Sequence, residues 1–487
     1  MQTSEVTEKL IEECAALNVR LIKNLPFDIQ PLIWSSPTAV RNPETSVIFQ
    51  PVHNNKNIFA RLFRYTFILG SAFIRGLYRL LRHRGVYYCH IKNDSSILLI
   101  VPSVITERTG EFKTNYLTEE EGYSVDKLVF SYSRKTLESG KHFSAVSFFN
   151  RIRILFRLLS AVFCDFIKQL ACKKISLRYI DALVILTQWI LSHSWYLTCN
   201  FYHLVNSFAD SNSYESFLLL HEMHFYSRIV WHIAREKKIV GITAQHGLIV
   251  PEKLWYFPDK AEIQVECPLP DVFFVYSLET EELLRGLYPE TNFFTCCSPR
   301  FKRWKSYSDI PKNDVTQNGK PICLFANNAA IIHDVVVLKA LRELVKLKLK
   351  DSFTLRLRLH PTERLNLKDQ LWVWSAAALK KIEISSKSLQ DDFQDAGLVI
   401  GAASTVVQEA FLVGLPVMGV FHKDFVASSL LPSEFRCAIG ELSEETLNRY
   451  MNKEPDKDLV EHCKVNLGVF SPGLTTKLIY DCYNETK

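Results

Sequence analysis

The chain has no internal repeat, no low-complexity tract, and no cysteine spacing of the kind that builds a zinc site or a disulfide framework. Its twelve cysteines, among them the adjacent pair Cys296-Cys297, are therefore expected to be reduced and mostly buried thiols of a cytosolic protein. The first residues, Met1-Gln2-Thr3-Ser4-Glu5, are polar and acidic and lack the apolar stretch of a secretory signal. No recognised nucleic-acid module appears, and the basic runs are interleaved with bulky aliphatic residues, so nucleic acid is not an expected partner.

Two further absences concern charge. Residues 182–209 contain no Asp, Glu, Lys or Arg and by length could span a bilayer. Against that, Gln188, Ser192, His193, Ser194, Asn200, His203 and Asn206 are spread along the segment, and hydrocarbon would make them costly. A buried or interfacial helical pair is expected. Residues 61–84 contain no acid among their arginines and aromatics, and residues 151–178 contain only Asp165 beside Arg153, Arg157, Lys168, Lys173, Lys174 and Arg178. Two readings stand for these stretches. They suit the anionic inner face of a membrane, and they equally suit amphipathic helices packed on the core with solvated arginines.

What is present fits a globular protein of two or three domains. The 487 residues are 47% hydrophobic and 23% charged, with a net charge of +6 and 32 phenylalanines. Residues 1–50 combine a helical pattern from Val6 to Leu17 with loops around Pro26, Pro31, Pro37 and Pro43. Ser96–Val101 and Lys127–Tyr132 read as strands, separated by a polar loop, and about 80 helical residues follow. Strand patterns at 217–220, 240–244 and 271–276, with a helix at about 224–237, then form an α/β run. After a polar stretch at 306–320, strands at 322–326, 354–359, 381–384, 398–400 and 417–420 alternate with helices.

Two motifs carry the chemistry. The first runs from Asp395 to Ala410 and on through Gly414-Leu415-Pro416-Val417, reading as strand, tight turn, helix, strand. Ser404 sits where an N-cap belongs, with Thr405 beside it. The hydroxyls and free amides there would face the crevice above the strand ends, which favours anions. Glu409 lies about one turn further along, within reach of a ribose. The second motif is Thr354-Leu355-Arg356-Leu357-Arg358-Leu359-His360-Pro361, a strand with period-two alternation that Pro361 stops. His360 at its end can donate to a phosphate oxygen whether neutral or charged. Two strand tips converging on one anion make a stronger signal than either alone.

The order His-Pro, Ser-Thr at a helix start, Glu-Ala and Gly-x-Pro-Val resembles the C-terminal domain of GT-B glycosyltransferases of bacterial surface polysaccharide biosynthesis. It is most similar to enzymes that use CMP-activated sialic acid or Kdo for capsule and lipopolysaccharide assembly, and the likeness covers roughly residues 215–425. The resemblance implies that His360, Ser404 and Thr405 hold the donor phosphate, with Pro361 beside them in the donor site, and that Glu409 lies near the ribose. It further implies an α/β, GT-B-like fold with two doubly wound, Rossmann-type domains facing a cleft, and a helical, basic and aromatic insertion in the N-terminal half. Residues 1–305 would form the acceptor-side domain, including the helical region at about 150–210. Residues 306–320 would form the linker, and 321–487 the nucleotide-sugar donor domain. The expected partners are a nucleotide-sugar donor, a glycan or lipid-linked acceptor, and an anionic membrane surface. The expected location is cytoplasmic, peripheral on the inner face of the cytoplasmic membrane.

The acceptor half carries its own groups. Glu222, in His221-Glu222-Met223-His224, follows one strand, and Gln245-His246-Gly247 follows the next, so both lie at carboxyl ends of neighbouring strands. A carboxylate aimed at a cleft and partly desolvated has a raised pKa and can act as a base, so Glu222 is the candidate, with His246 as its partner. The bland alternative for Glu222 is a first-turn acid satisfying a helix dipole. Gly247 would let the backbone approach a ligand closely, and Arg358 would line the cleft beside Gln245. The Asp/Glu-Asp-Gly motif of CMP-sialic acid transferases is missing; its nearest form is Glu120-Glu121-Gly122, which makes Glu121 a rival base and leaves inversion or retention open. No metal or other cofactor is expected, because a CMP leaving group is a monophosphate that His360 and helix-end amides can stabilise without a cation. A GT-B-shaped epimerase, a polyol-phosphate transferase and a non-catalytic assembly protein are the alternatives.

Overall fold

Short apolar runs become the strands of two sheets in the computed structural model. It describes residues 2–26, 29–36, 58–81, 85–102, 117, 120–131, 140–192, 194–220, 225–245, 249, 258–297, 316–317, 320–326, 331–348, 352–359, 367–401, 405–421, 431–466, 468–469 and 471–486. The chain divides into two units. Unit 1 comprises Met1–His246, Lys253–Thr295 and Leu474–Lys487, and unit 2 comprises Gly247–Glu252 and Cys296–Gly473.

Unit 1 contains β1 (Val86–Ile91), β2 (Ile97–Pro102), β3 (Asp126–Ser131), β4 (Lys141–Phe143), β5 (Ser216–Leu219), β6 (Val240–Ala244), β7 (Val272–Val275) and β8 (Asn292–Thr295). Their order in the sheet is β4-β1-β3-β2-β5-β6-β7-β8. From β3 to β8 every neighbouring pair is parallel, while β1 runs antiparallel to β3 and β4. The chain steps from β2 to β3 on one side and later resumes at β5 on the other, so strand order reverses between β2 and β5.

Unit 2 contains β9 (Thr316–Gln317), β10 (Lys320–Ala326), β11 (Thr354–Arg358), β12 (Glu383–Ile384), β13 (Ala396–Gly401), β14 (Val417–Phe421) and β15 (Arg436–Ala438). The order is β12-β11-β10-β13-β14-β15, with β9 paired to β10. All pairs but the last are parallel. Order here reverses between β10 and β13. Alternation along the strands fills two cores. Cys323, Phe325, Leu398, Ile400, Met418 and Val420 enter one, and Leu324, Val399 and Val417 enter the other. Covering both faces is what a parallel sheet with helical crossovers requires. The fold is therefore α/β with two doubly wound units, as the sequence led one to expect.

The helical layer of unit 1 is built from α1 (Gln2–Asn24), α2 (Ile58–Leu81), α3 (Phe148–Ala171), α4 (Leu177–Leu191) and α5 (Trp195–Ser211). Residues 182–209 thus form the expected helical pair, with Ile185, Leu186, Trp195 and Phe201 buried. Among the described residues no helix is long and apolar enough to cross a membrane. The basic stretch at 151–178 is not one helix. Ser147 caps α3 by accepting from Asn150 N at 3.3 Å, the chain breaks at Lys173 with φ of 55°, and Ser176 caps α4 by accepting from Tyr179 N at 3.0 Å. Side by side, α2 and α4 approach so closely that a Cβ on Gly76 would lie 1.7 Å from Leu191 O, a position only glycine can occupy.

The last helix departs from the expectation that 321–487 stay together. Helix Thr476–Thr486 packs in unit 1, where Tyr483 Oη donates to Glu215 Oε2 at 2.9 Å and Tyr480 Oη lies 2.9 Å from Ser95 Oγ. These hydroxyls meet the start of the parallel strands, a contact that no local pattern in the sequence announces. The boundary between the units falls at 295/296. Of the stretch 306–320 only 316–317 and 320 are described, and Thr316–Gln317 pairs with β10.

One buried ion pair anchors α6 (Phe225–Lys237), the helix that follows residues 221–224. Arg228 Nη1 lies 3.2 Å from Glu262 Oε1, both side chains are buried, and the Trp34 ring sits 6.0 Å from the guanidinium. Removing one partner strands a charge, which costs about 3–5 kcal/mol, whereas replacing both with apolar residues of similar volume is close to neutral. Arg228→Met should accordingly lower the urea midpoint sharply, and Arg228→Met/Glu262→Leu should restore most of the loss. Equal midpoints for the single variant and the parent would show that the pair does not hold α6.

Candidate functional site

In an open parallel sheet, ligands bind outside the carboxyl ends of the strands where strand order reverses. In unit 2 that point lies between β10 and β13. Ala326 of β10 is in register with Arg358 of β11 on one side and Gly401 of β13 on the other, so the three tips lie level. Neighbouring strands are about 4.8 Å apart, which sets the β11 and β13 tips about 10 Å apart across β10. His360 follows Arg358 by two residues, and Ser404 follows Gly401 by three. His360, Pro361 and Ser404 lie outside the described residues, as do Glu222, His246 and Gly247.

Helix α7 (Thr405–Leu412) rises from the β13 tip. Thr405 is half-buried at its first turn and Glu409, one turn on, is fully buried. Val407, Ala410 and Phe411 fix the helix by packing with Leu324, Val399 and Val417. Its end is closed by a paired hydrogen-bond cap: Gly414 N donates to Phe411 O at 3.0 Å and Leu415 N to Ala410 O at 3.0 Å, with Gly414 at φ of 76°. Gln408, beside Glu409, is 4% exposed, and its carboxamide has no hydrogen-bond partner among the described residues. A buried, unsatisfied amide is costly and calls for an explanation. In the sequence its only mark is a second polar residue beside Glu409.

Arg358 has partners within its own unit. Its Nη1 donates to Asp392 Oδ2 at 2.7 Å and to Lys387 O at 2.8 Å. Arg356 is buried, with Nη1 2.5 Å from Asp395 Oδ2 and Nε 3.2 Å from Glu383 Oε1. Burial works against ionisation of Asp395, but Lys387 and Arg356 outweigh it and hold the carboxyl below the usual range. The Leu/Arg alternation thus gives the one apolar face that the pattern suggested, Leu355 and Leu357 entering the core, and the arginine side is an ionic face paired with acids.

In unit 1 the reversal lies between β2 and β5. Leu219 ends β5, in register with Ile100 of β2 and Thr243 of β6, and Glu222 follows it by three residues. Gln245 directly follows β6 and is buried. Its backbone N donates to Phe274 O at 2.8 Å, and its side-chain Oε1 accepts from Tyr276 N at 2.8 Å. Gln245 therefore ties the tip of β6 to the tip of β7 at the level where His246 and Gly247 begin. The rival acid, Glu121, is exposed in the turn Glu120–Tyr123. That turn is held by the last helix, since Glu120 N donates to Thr476 Oγ1 at 3.0 Å and the rings of Tyr123 and Tyr480 are 5.4 Å apart.

One Asp-x-Asp triplet occurs, Asp456-Lys457-Asp458, and the fold uses it as a helix cap. Asp456 Oδ1 accepts from Asp458 N at 2.9 Å and Leu459 N at 3.1 Å.

No family model matches the sequence, and no curated protein matches it. Among solved structures, the chain is similar to UDP-GlcNAc 2-epimerase from Methanocaldococcus jannaschii in complex with UDP-GlcNAc and UDP, at 12% identity and a TM-score of 0.46, covering 80% of this chain and 99% of that one. UDP-GlcNAc 2-epimerase from Neisseria meningitidis gives 10% identity and 0.44, covering 80% and 99%. MurG from Acinetobacter baumannii gives 12% and 0.33, covering 59% and 77%. Values of this size say nothing of substrate, and the chemistry rests on the side chains.

Gln245→Ala removes the acceptor for a buried backbone N–H and should destabilise the chain by about 1–3 kcal/mol, measured by chemical denaturation. An unchanged midpoint would show that the two strand tips are not tied through this amide.

Proposed function

We propose that the chain is a sugar transferase that takes its sugar from a nucleotide-activated donor, a CMP-sialic acid-like sugar or CMP-Kdo, and passes it to a surface glycan or lipid-linked acceptor at the inner face of the cytoplasmic membrane. The observation that supports it most is the position of the two motifs in unit 2. Both start from tips flanking the one strand at which order reverses, level with each other by register. His360 with Pro361, and Ser404 with Thr405 at the start of α7, are assigned to the leaving phosphate, where donors and a helix terminus meet growing negative charge. Glu409 is assigned to the ribose, and the buried amide of Gln408 joins the same set. No metal is called for. In unit 1, Glu222 is assigned as the base that takes the acceptor hydroxyl's proton, with His246 as its partner. Gly247 lines the acceptor side, Gln245 supports the turn, and the paired Arg358 shapes the β11 tip.

Thermal unfolding with saturating CMP, UDP or CDP tests the donor class, since a ligand that binds only the native state raises its stability. A shift with CMP is expected. A shift with UDP alone, and no transfer, would move the chain to epimerase chemistry; no shift with any nucleotide would leave a non-catalytic assembly protein. His360→Ala should lose on the order of 2–4 kcal/mol of transition-state stabilisation with the fold intact. Near-parental transfer by that variant would remove His360 from the phosphate site.

Glu222→Gln keeps the shape and removes the proton acceptor. Turnover should fall by roughly 10²–10⁴ while donor affinity is nearly unchanged. Full turnover in Glu222→Gln beside an inactive Glu121→Gln would transfer the role to the exposed turn.

A further inference from the structure

Helices α2 and α3 flank α4 in unit 1, and each buries one side in the core they share with it. Among the described residues of α2, Tyr65, Ile68, Ala72 and Gly76 are buried; on α3 Arg151, Ile154, Leu158, Val162 and Asp165 are buried. The outward faces are aromatic. Phe59, Phe63 and Phe67 recur every four residues along α2, and Phe149, Phe156 and Phe163 every seven along α3. These six side chains are between 63% and 81% exposed. A helix on the surface of a water-soluble domain ordinarily shows charge on that side. Six phenylalanines open to this degree expose on the order of 800 Å² of apolar surface in total, more than isolated surface rings would leave uncovered.

The charge around them has one sign. Helix α2 carries Arg61, Arg64, Arg75 and Arg79 and no acid. The only acid in α3, Asp165, is turned inward, where it accepts from Arg20 Nε at 3.1 Å and from Tyr179 Oη at 3.1 Å. Arg153, Lys168, Lys173, Lys174 and Arg178 are exposed. A second copy of the same face would set cation against cation. A surface that buries rings while presenting phosphate to the surrounding cations would satisfy both features, and an anionic lipid bilayer does so.

We propose that the outward faces of α2 and α3 form a docking surface that lies in the headgroup layer of an anionic membrane, with the phenylalanine rings inserted and the flanking arginines and lysines on lipid phosphates. This deepens the membrane location in the functional reading by naming the surface. Its test uses neither donor nor acceptor, so its failure and the failure of the transferase reading are distinguishable.

The full chain is sedimented with vesicles of phosphatidylcholine alone and of phosphatidylcholine mixed with phosphatidylglycerol. Binding to the mixed vesicles is expected, weaker by about tenfold or more on the neutral ones, and reduced by raised salt. Phe63→Glu/Phe156→Glu alters only exposed rings, so it should keep the parental unfolding midpoint and lose about tenfold or more of the binding. A folded double variant that binds as well as the parent would overturn the proposal. So would a parent that binds neither vesicle, or one that self-associates without lipid and loses that association in the variant, which would assign the face to a second copy.

Discussion

A parallel sheet joined by helical crossovers must bury both faces, and in this chain that constraint decides where chemistry can occur. In unit 2 successive residues of β10, β13 and β14 enter opposite cores, so the strands have no wet side on which to mount a polar group. What remains are the ends. The carboxyl ends, where crossover helices start and order reverses, combine free backbone donors with room for a ligand. Arg356 shows the cost of the other choice. Placed mid-strand, it is buried and needs Asp395 and Glu383 to hold it.

The helical layer of unit 1 buries three charged side chains: Asp165 binds Arg20 and Tyr179, Asp181 binds Tyr65, and Arg151 donates to Leu80 O while lying over the Tyr196 ring. Burial and the Asp165 carboxylate push the Tyr179 phenol up, so it stays a donor. The helices are thereby fixed by directional bonds, and their outer rings do not contribute to the internal packing. That separation leaves the outer face free to be set by an external surface.

Much of this was legible in the sequence, for identifiable reasons. The core strands are runs of Phe, Leu, Ile and Val bounded by turn residues, and doubly buried strands read that way. The helical pair at 182–209 was legible because its polar residues are spread along it. Less visible were β1, β4 and β15. In β1, Tyr87, Tyr88, Cys89 and His90 are half-buried at an antiparallel margin, and β15 is three residues that, among the described residues, pair with β14 alone. At the site, spacing placed Thr405 and Glu409 on one helix above β13. It did not show that Asp392 neutralises Arg358 or that Gln245 turns its amide toward Tyr276 N, because those partners lie 34 and 31 residues away. Nor did it reveal that Asp456 caps a helix.

The return of the chain to unit 1 after residue 473 has a consequence for how the protein is made. The first parallel strands of unit 1 are complete by residue 295, yet the tyrosine hydroxyls that meet Ser95 and Glu215 belong to Tyr480 and Tyr483. Translation at about 5–20 residues per second puts roughly 10–40 s between the two. During that interval the earliest-made sheet waits with the site of its last helix uncovered.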